Sequence, residues 1–307
     1  MYSFAVAKPL LSAGVLAFLS SSPPPEEPPR VEAVAVVSSL SGNAWVSAPP
    51  EMKKDTVHLF DWLPAGSLVE VGSGSGLTLA FSNGSRFELG EKSKATVAAS
   101  GLTAASGTLR PLDSVPPMPR MAAMASGTPA GARSGAIRIR GQRIENLYPR
   151  ADTATLPEGT TLRFSPIDGA ARYKVELEDE SGRTLFEAET PGATLNVPTG
   201  ILMPGARYYW KVRTVDRIGP AVRGESEFAT LATEDMEKRT TLKATLENRG
   251  DLESLALLAE VDRRLGLLAE ANEEFQAALA RSPGSDAIRR ALEEIQKQLS
   301  SNEDPEE

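Results

Sequence analysis

The 307-residue sequence predicts a multi-domain chain, mainly β with a small α tail. Three observations carry that prediction. Short alternating apolar runs, punctuated by Gly, Pro, Asn and Ser, fill 31–112 and again 137–232. That is the pattern of half-buried strands joined by tight turns. From 234 onward the apolar residues recur every three or four positions instead, which is the period of a helix. Composition changes at the same place: 21 of the 23 prolines precede residue 234, and 234–307 carries 18 acids against 10 bases, the whole net charge of −8. At roughly 100–200 residues per domain, the length allows two or three domains.

Composition also excludes chemistry. With no cysteine there are no disulfides, thiolate nucleophiles, Cys–zinc sites or Cys-ligated iron–sulfur clusters. A single histidine, His58, excludes a multi-histidine metal centre and leaves one residue through which any Ser/His/Asp triad could run. Neither half of the chain is basic, so the attraction to phosphate that nucleic-acid binding needs is missing.

Residues 1–22 read MYSFAVAKPLLSAGVLAFLSSS. The apolar centre is about a dozen residues, short of the roughly 20 that a spanning helix needs. A signal peptide cleaved after Ser22 is the expectation, and the chain is then exported to the periplasm or cell envelope. The alternative is an inner-membrane anchor, with membrane association through residues 2–20. Residues 23–30, PPPEEPPR, form a stiff Pro-rich spacer.

The clearest strands of the first β region lie in GLTLAFSNGSRFELG, residues 76–90. Leu77, Leu79 and Phe81 share one face, and Phe87 and Leu89 share a face of the next strand. A two-residue loop at Asn83-Gly84 would place those sets on opposite sides of the sheet. A three-residue loop, Ser82-Asn83-Gly84, sets Leu79 against Phe87 and Leu77 against Leu89, so that register is predicted, with Gly84 left-handed. Asn83-Gly84-Ser85 also matches a glycosylation acceptor, but the turn accounts for it.

Across 31–112 the chain offers Leu40, Gly42 and Val46, then Leu63-Pro-Ala-Gly66, Val69, Val71, Gly72 and Gly74, then Asn83-Gly84-Ser85, Leu89 and Ser93. This succession resembles the FecR-like domain of bacterial envelope proteins. The resemblance implies an all-β module. In the regulator that gives the family its name, a cytoplasmic segment and a membrane helix precede the domain and communicate with a sigma factor. Only seven residues precede Lys8 here. Surface signalling is therefore the alternative expectation rather than the first. His58 reads as an exposed polar residue between strands, and Trp45 and Trp62 as core residues rather than a carbohydrate platform.

Residues 113–136 show no sustained period and read as a flexible linker. Met118, Met121 and Met124 could form a partner-binding stripe, but Pro116, Pro117, Pro119 and Gly127 oppose the helix that would display it.

In 137–232, about seven strands are expected. Tyr173, Val175 and Leu177 point inward, as do Tyr208, Trp210 and Val212, while Lys174, Glu176, Glu178, Tyr209, Lys211 and Arg213 point out. Arg138, Arg140 and Arg143 read as the solvated face of a leading strand. The string Leu202-Met-Pro204-Gly205-Ala-Arg-Tyr208-Tyr-Trp210-Lys-Val212 resembles the hallmark of a fibronectin type III-like domain. The resemblance implies a β-sandwich in which Tyr208 ties its hydroxyl to the backbone near Leu202. It brings no catalytic residues.

In 234–299, Gly250, Gly266 and Gly284 stand 16 and 18 residues apart, 34 in all, as helix-ending glycines would. A helix is expected over Glu234 to Asn248. Leu268, Ala271, Phe275 and Ala278 line one face of a later helix, and Ile288, Ala291, Leu292, Ile295 and Leu299 line the last one. Leu255, Leu258, Ala271-x3-Phe275, Ala278-Leu279 and Pro283 at that period resemble a tetratricopeptide repeat with a capping helix. The resemblance implies a helical hairpin that offers a groove to a peptide or protein. One repeat is small, so it is expected to pack on the sandwich or on a partner. The helical carboxylates interleave with Arg and Lys and read as a solvated face. Residues 300–307 form an acidic disordered tail.

No catalytic, cofactor-binding or metal residue is assigned. The expectation is a non-enzymatic envelope scaffold or binding protein, partnered by a protein or envelope polymer and without a cofactor. A FecR-type regulatory sensor and a carboxylate-dependent envelope hydrolase are the alternatives.

Overall fold

The structure is a computed structural model that describes residues 32–119, 142–216 and 218–300. The leader, the spacer, Met121, Met124, Arg138, Arg140 and residues 301–307 lie outside the described residues.

The described chain is mainly β, with four C-terminal helices. The first ten strands are β1 (Ala33–Ser41), β2 (Ala44–Ser47), β3 (Lys54–Thr56), β4 (Trp62–Pro64), β5 (Leu68–Val71), β6 (Gly76–Phe81), β7 (Arg86–Leu89), β8 (Lys94–Ala98), β9 (Gly101–Ser106) and β10 (Leu109–Leu112). They make two five-stranded antiparallel sheets, ordered β10-β7-β6-β1-β4 and β3-β2-β5-β8-β9. Between them lies a core that includes Val37, Val69, Leu77, Leu79, Phe81 and Leu89. The β6–β7 hairpin has the predicted register, Leu79 opposite Phe87 and Leu77 opposite Leu89. Gly84 has φ 89°, as its loop position demands.

Strand β1 is apolar on both faces for a reason. Ala35 and Val37 enter the core between the sheets. Val36 and, beside it on β6, Ala80 face the other way into a second apolar cluster shared with the helices. The sheet carrying β1 is therefore buried on two sides, which explains its unbroken apolar run.

The stretch 113–119 departs from the linker reading. Val115 and Met118 are buried. The Val115 N–H donates to Gly84 O at 2.9 Å and the Met118 N–H to Ser82 O at 2.9 Å. This proline-rich strap donates its backbone N–H groups to the β6–β7 loop and is buried in the cluster shared with the helices.

The second β region has β11 (Ala154–Thr155), β12 (Thr161–Arg163), β13 (Tyr173–Asp179), β14 (Thr184–Thr190), β15 (Thr194–Asn196), β16 (Arg207–Thr214) and β17 (Arg223–Thr230). A five-stranded sheet, β11-β17-β16-β13-β14, packs on the β12–β15 pair. Tyr173, Val175, Leu177, Tyr208, Trp210 and Val212 all point into the shared core. Buried phenols find partners. The Tyr173 hydroxyl accepts from Ile167 N at 2.7 Å, and the Tyr208 hydroxyl from Met203 N at 2.6 Å, one residue beyond Leu202.

Four helices follow: α1 (Thr233–Arg249), α2 (Leu252–Arg264), α3 (Leu268–Arg281) and α4 (Asp286–Ser300). Gly250, at φ 65°, ends α1, and Asp251 caps α2 by accepting from Ser254 N at 2.7 Å. Leu268, Ala271, Phe275 and Ala278 are buried along α3, and Ile288, Ala291, Leu292 and Ile295 along α4. Among the described residues no helix is long and apolar enough to cross a membrane.

Candidate functional site

The chemistry-bearing side chains of this protein gather where the helices meet both β modules. The loop before β4 delivers the first of them. Phe60 has φ 74°, its N–H donates to Val37 O at 3.0 Å, and its ring leaves the first module altogether. It enters a cluster of small residues, Ala256 and Ala259 of α2 and Ala271 of α3, which leave room for it. There it meets Phe275 edge-on, with centroids 5.4 Å apart.

Two residues further on, Trp62 also faces the helices. Its indole N–H donates to Glu260 Oε1 at 2.6 Å, and the Arg264 guanidinium lies over its ring at 5.2 Å. Glu260 is fully buried, and Arg263 Nε closes on its other oxygen at 2.7 Å. Burial pushes the Glu260 carboxyl up, against the opposing pull of Arg263 and Trp62. A third tie is Glu253 Oε1, which accepts from Ser38 Oγ at 2.7 Å and Arg86 Nη2 at 2.6 Å.

The second module contributes Tyr148. Its ring packs in the same cluster as Phe60 and Phe275, with the Arg163 guanidinium 4.6 Å from its centroid. Burial, and then the nearby Glu270, push its hydroxyl up to about 12. Behind it, Ala154 N donates to Gly266 O at 3.0 Å, joining β11 to the α2–α3 turn.

Under this interface runs a charged seam. Arg239 of α1 grips Asp262 of α2 with two bonds, Nε to Oδ1 at 2.7 Å and Nη2 to Oδ2. Their side chains are 7% and 0% exposed. Lys243 of α1 donates to Glu274 of α3 at 3.0 Å. Burial, and then the Asp262 charge, push the Glu274 carboxyl up to about 8.

These placements correct four sequence expectations. Trp45 is half-buried on an outer face rather than in the core, lying under the Lys54 ammonium at 4.8 Å, and Trp62 is half-buried against the helix-facing cluster rather than in the core between the sheets. The carboxylates Glu260, Asp262 and Glu274 are buried, not a solvated face. The apolar face of the helical hairpin is filled by Phe60 and Tyr148 of this same chain, so it is not an open groove. The helices pack on both β modules, not on the sandwich alone.

His58 is exposed, and its backbone N–H donates to Asp61 Oδ2 at 2.7 Å. Arg143 forms a bridge with Arg223 at the edge of the second module. It also lines a shallow cleft with Glu145, Ser165 and Ile167. Among the described residues no group of three or more His, Cys, Asp or Glu is placed to hold a metal ion. The residues that sequence reasoning missed are Phe60, Tyr148, Arg239 and Asp262.

No family model matches the chain, and no curated protein matches it. Among solved structures it is similar to CopC from Methylosinus trichosporium OB3b, at 26% identity over 31% of this chain and 97% of that one, with a TM-score of 0.25.

Proposed function

We propose that this is a non-enzymatic scaffold or binding protein of the bacterial cell envelope. Its parts are a FecR-like domain, a fibronectin type III-like sandwich and a tetratricopeptide-like hairpin with a capping helix. The leader 1–22 directs it out of the cytoplasm, and a protein or envelope polymer is its partner.

One observation carries this reading: Phe60 and Tyr148, one from each β module, share a single cluster on the helices. The helices thereby act as an internal clamp that holds two β modules in one fixed relation. A partner would then meet the outer faces of the β modules rather than the hairpin. The acidic residues that a hydrolase would use at the seam, Glu260 and Asp262, are fully buried and already paired with arginines. That arrangement favours the scaffold over hydrolytic chemistry.

Fractionation of host cells, N-terminal sequencing of the mature chain and capture of crosslinked neighbours test the proposal. It expects a chain that begins after Ser22 and a reproducible envelope neighbour. Multiple-turnover chemistry traced to side chains within 31–299 would overturn it.

A further inference from the structure

A strand at the edge of a sheet leaves half of its backbone groups without partners, and folded chains blunt such edges with charge, proline or brevity. Most edges among the described residues are blunted in this way. Strands β3, β4, β11, β12 and β15 have two or three residues each. β10 carries Arg110 and Pro111, and β14 carries Glu187 and Glu189. The exception is β9, whose 6 residues read GLTAAS, with neither charge nor proline. It ends the sheet β3-β2-β5-β8-β9.

The open side of β9 follows from its register on β8. Ala98 opposes Gly101 across the turn Ala99-Ser100, which makes them a hydrogen-bonded pair. Thr96 and Thr103, two positions on, are bonded in the same way. Leu102, opposite Val97, and Ala104, opposite Ala95, fall between these pairs and turn their N–H and C=O groups outward. No described backbone group meets them there. The register shifts just past Ala104, so the regular edge consists of those two residues. Their side is uncovered as well. Ala95 is fully buried, yet Ala104 beside it is exposed, as are Thr103, Ala105 and Ser106.

An antiparallel copy of β9 fits this edge about a two-fold axis at Thr103. Leu102 then pairs with Ala104 of the second copy, and Ala104 with its Leu102, so every open N–H meets an open C=O. An axis at Leu102 or at Ala104 leaves the other residue unpaired. On the core side the half-buried Leu102 covers the small, exposed Ala104 of the copy, and the reverse. On the outer face Thr103 meets Thr103, a favourable cross-strand pair, and no like charges oppose each other. A foreign strand has the same amides to offer, but the large-against-small match belongs to β9 with itself.

We propose that β9 is a self-association edge: two copies of this chain join β9 to β9, antiparallel about Thr103, and merge two sheets into one. The contact is isologous, so it closes at a dimer. Strands this short bury less than the about 800 Å² per partner of a standard interface, so the pairing is weak and concentration-dependent. It does not rest on the envelope role proposed above.

The chain has no cysteine, so a single introduced one reports on the axis. In Thr103→Cys the two sulfurs face each other across a non-hydrogen-bonded pair, whose Cα separation of about 4.5 Å allows a disulfide. Thr96 is exposed on the same face of the sheet, but its two copies stand roughly 15 Å apart, beyond disulfide reach. Under mild oxidation Thr103→Cys should form a disulfide dimer about tenfold faster than Thr96→Cys, or more. Sedimentation of the unaltered chain up to about 1 mM should show a monomer–dimer equilibrium. Thr103→Lys and Thr103→Glu should each weaken it about tenfold by setting like charges face to face, and an equal mixture of the two should restore it. If either charged variant does not fold, as far-ultraviolet circular dichroism will tell, the crosslinking comparison decides. Equal crosslinking at positions 96 and 103, a chain still monomeric at about 1 mM, or association indifferent to the charge at 103 overturns the proposal. So does a Thr103→Cys chain that crosslinks in host cells to another protein in preference to itself, which would give the edge to a foreign strand.

Discussion

Phe60 of the first β module and Phe275 of α3 meet edge-on, their ring planes inclined by 72°. The contact joins residues more than two hundred positions apart and sits at the centre of the helical cluster. Phe60 accepts a backbone conformation that bulky residues avoid, which costs about 1–3 kcal/mol and persists only where the surroundings hold it. Phe60→Ala keeps that strain and loses the ring. A loss of about 3–5 kcal/mol is expected in denaturant unfolding. The transition should also broaden as the first module uncouples from the helices.

The indole of Trp62 is the neutral donor to the buried Glu260. Trp62→Phe keeps most of the apolar contact and removes the N–H. Arg263 still pairs with Glu260, so the cost should stay at about 1–2 kcal/mol. Thermal unfolding checks this, and Arg263→Met in the same background should cost more than either change alone, because it strips the carboxylate of its remaining partner.

A side chain at position 84 has nowhere to go. A Cβ there would lie 2.0 Å from Val115 O, and φ is 89°. Gly84→Ala should cost about 2 kcal/mol or more and lift the 113–119 strap. Limited proteolysis within that strap should accelerate while the second module keeps its protection.

Tyr208→Phe leaves the Met203 N–H without the hydroxyl that now accepts from it. The expected cost is about 1–2 kcal/mol, confined to the second module. Amide exchange should show it around Leu202–Gly205 first.

Stability should fall, not rise, between mildly acidic and mildly alkaline pH. Glu274 and Glu260 titrate higher folded than unfolded. The unfolded chain therefore holds fewer protons than the folded one in this window, and the contribution fades as pH rises. It is complete below the ordinary carboxyl value of 4.5 and gone once pH passes the folded value of Glu274, about 8. The change should amount to about 2–4 kcal/mol. Denaturant unfolding at pH 5 and pH 8.5 measures it, and Glu274→Gln should remove most of the difference.

Much of the strand register was legible because alternation is a local property. The parity of Leu77, Leu79, Phe87 and Leu89 left one hairpin loop that put all four on one face. The inward triplets of β13 and β16 followed from the same rule, and the α3 face of Leu268, Ala271, Phe275 and Ala278 from helical spacing. The seam was not legible, for three separate reasons. Phe60 lies in the loop before β4, outside any alternating run, so parity did not reach it. Arg239 and Asp262 are 23 residues apart on different helices, and a buried ion pair looks like two surface charges until the helices are packed. The 113–119 strap has no internal period because its bonds go to Ser82 and Gly84.

The sheet carrying β1 shows Val36 and Ala80 to the helices on the side away from its own core. A version of the chain cut after residue 232 would therefore carry a bare greasy plate into water. Such a fragment should clump or be degraded rather than survive as a free-standing unit. Gene fusions that borrow the front half alone would inherit that burden. The three segments are expected to travel through evolution as one set.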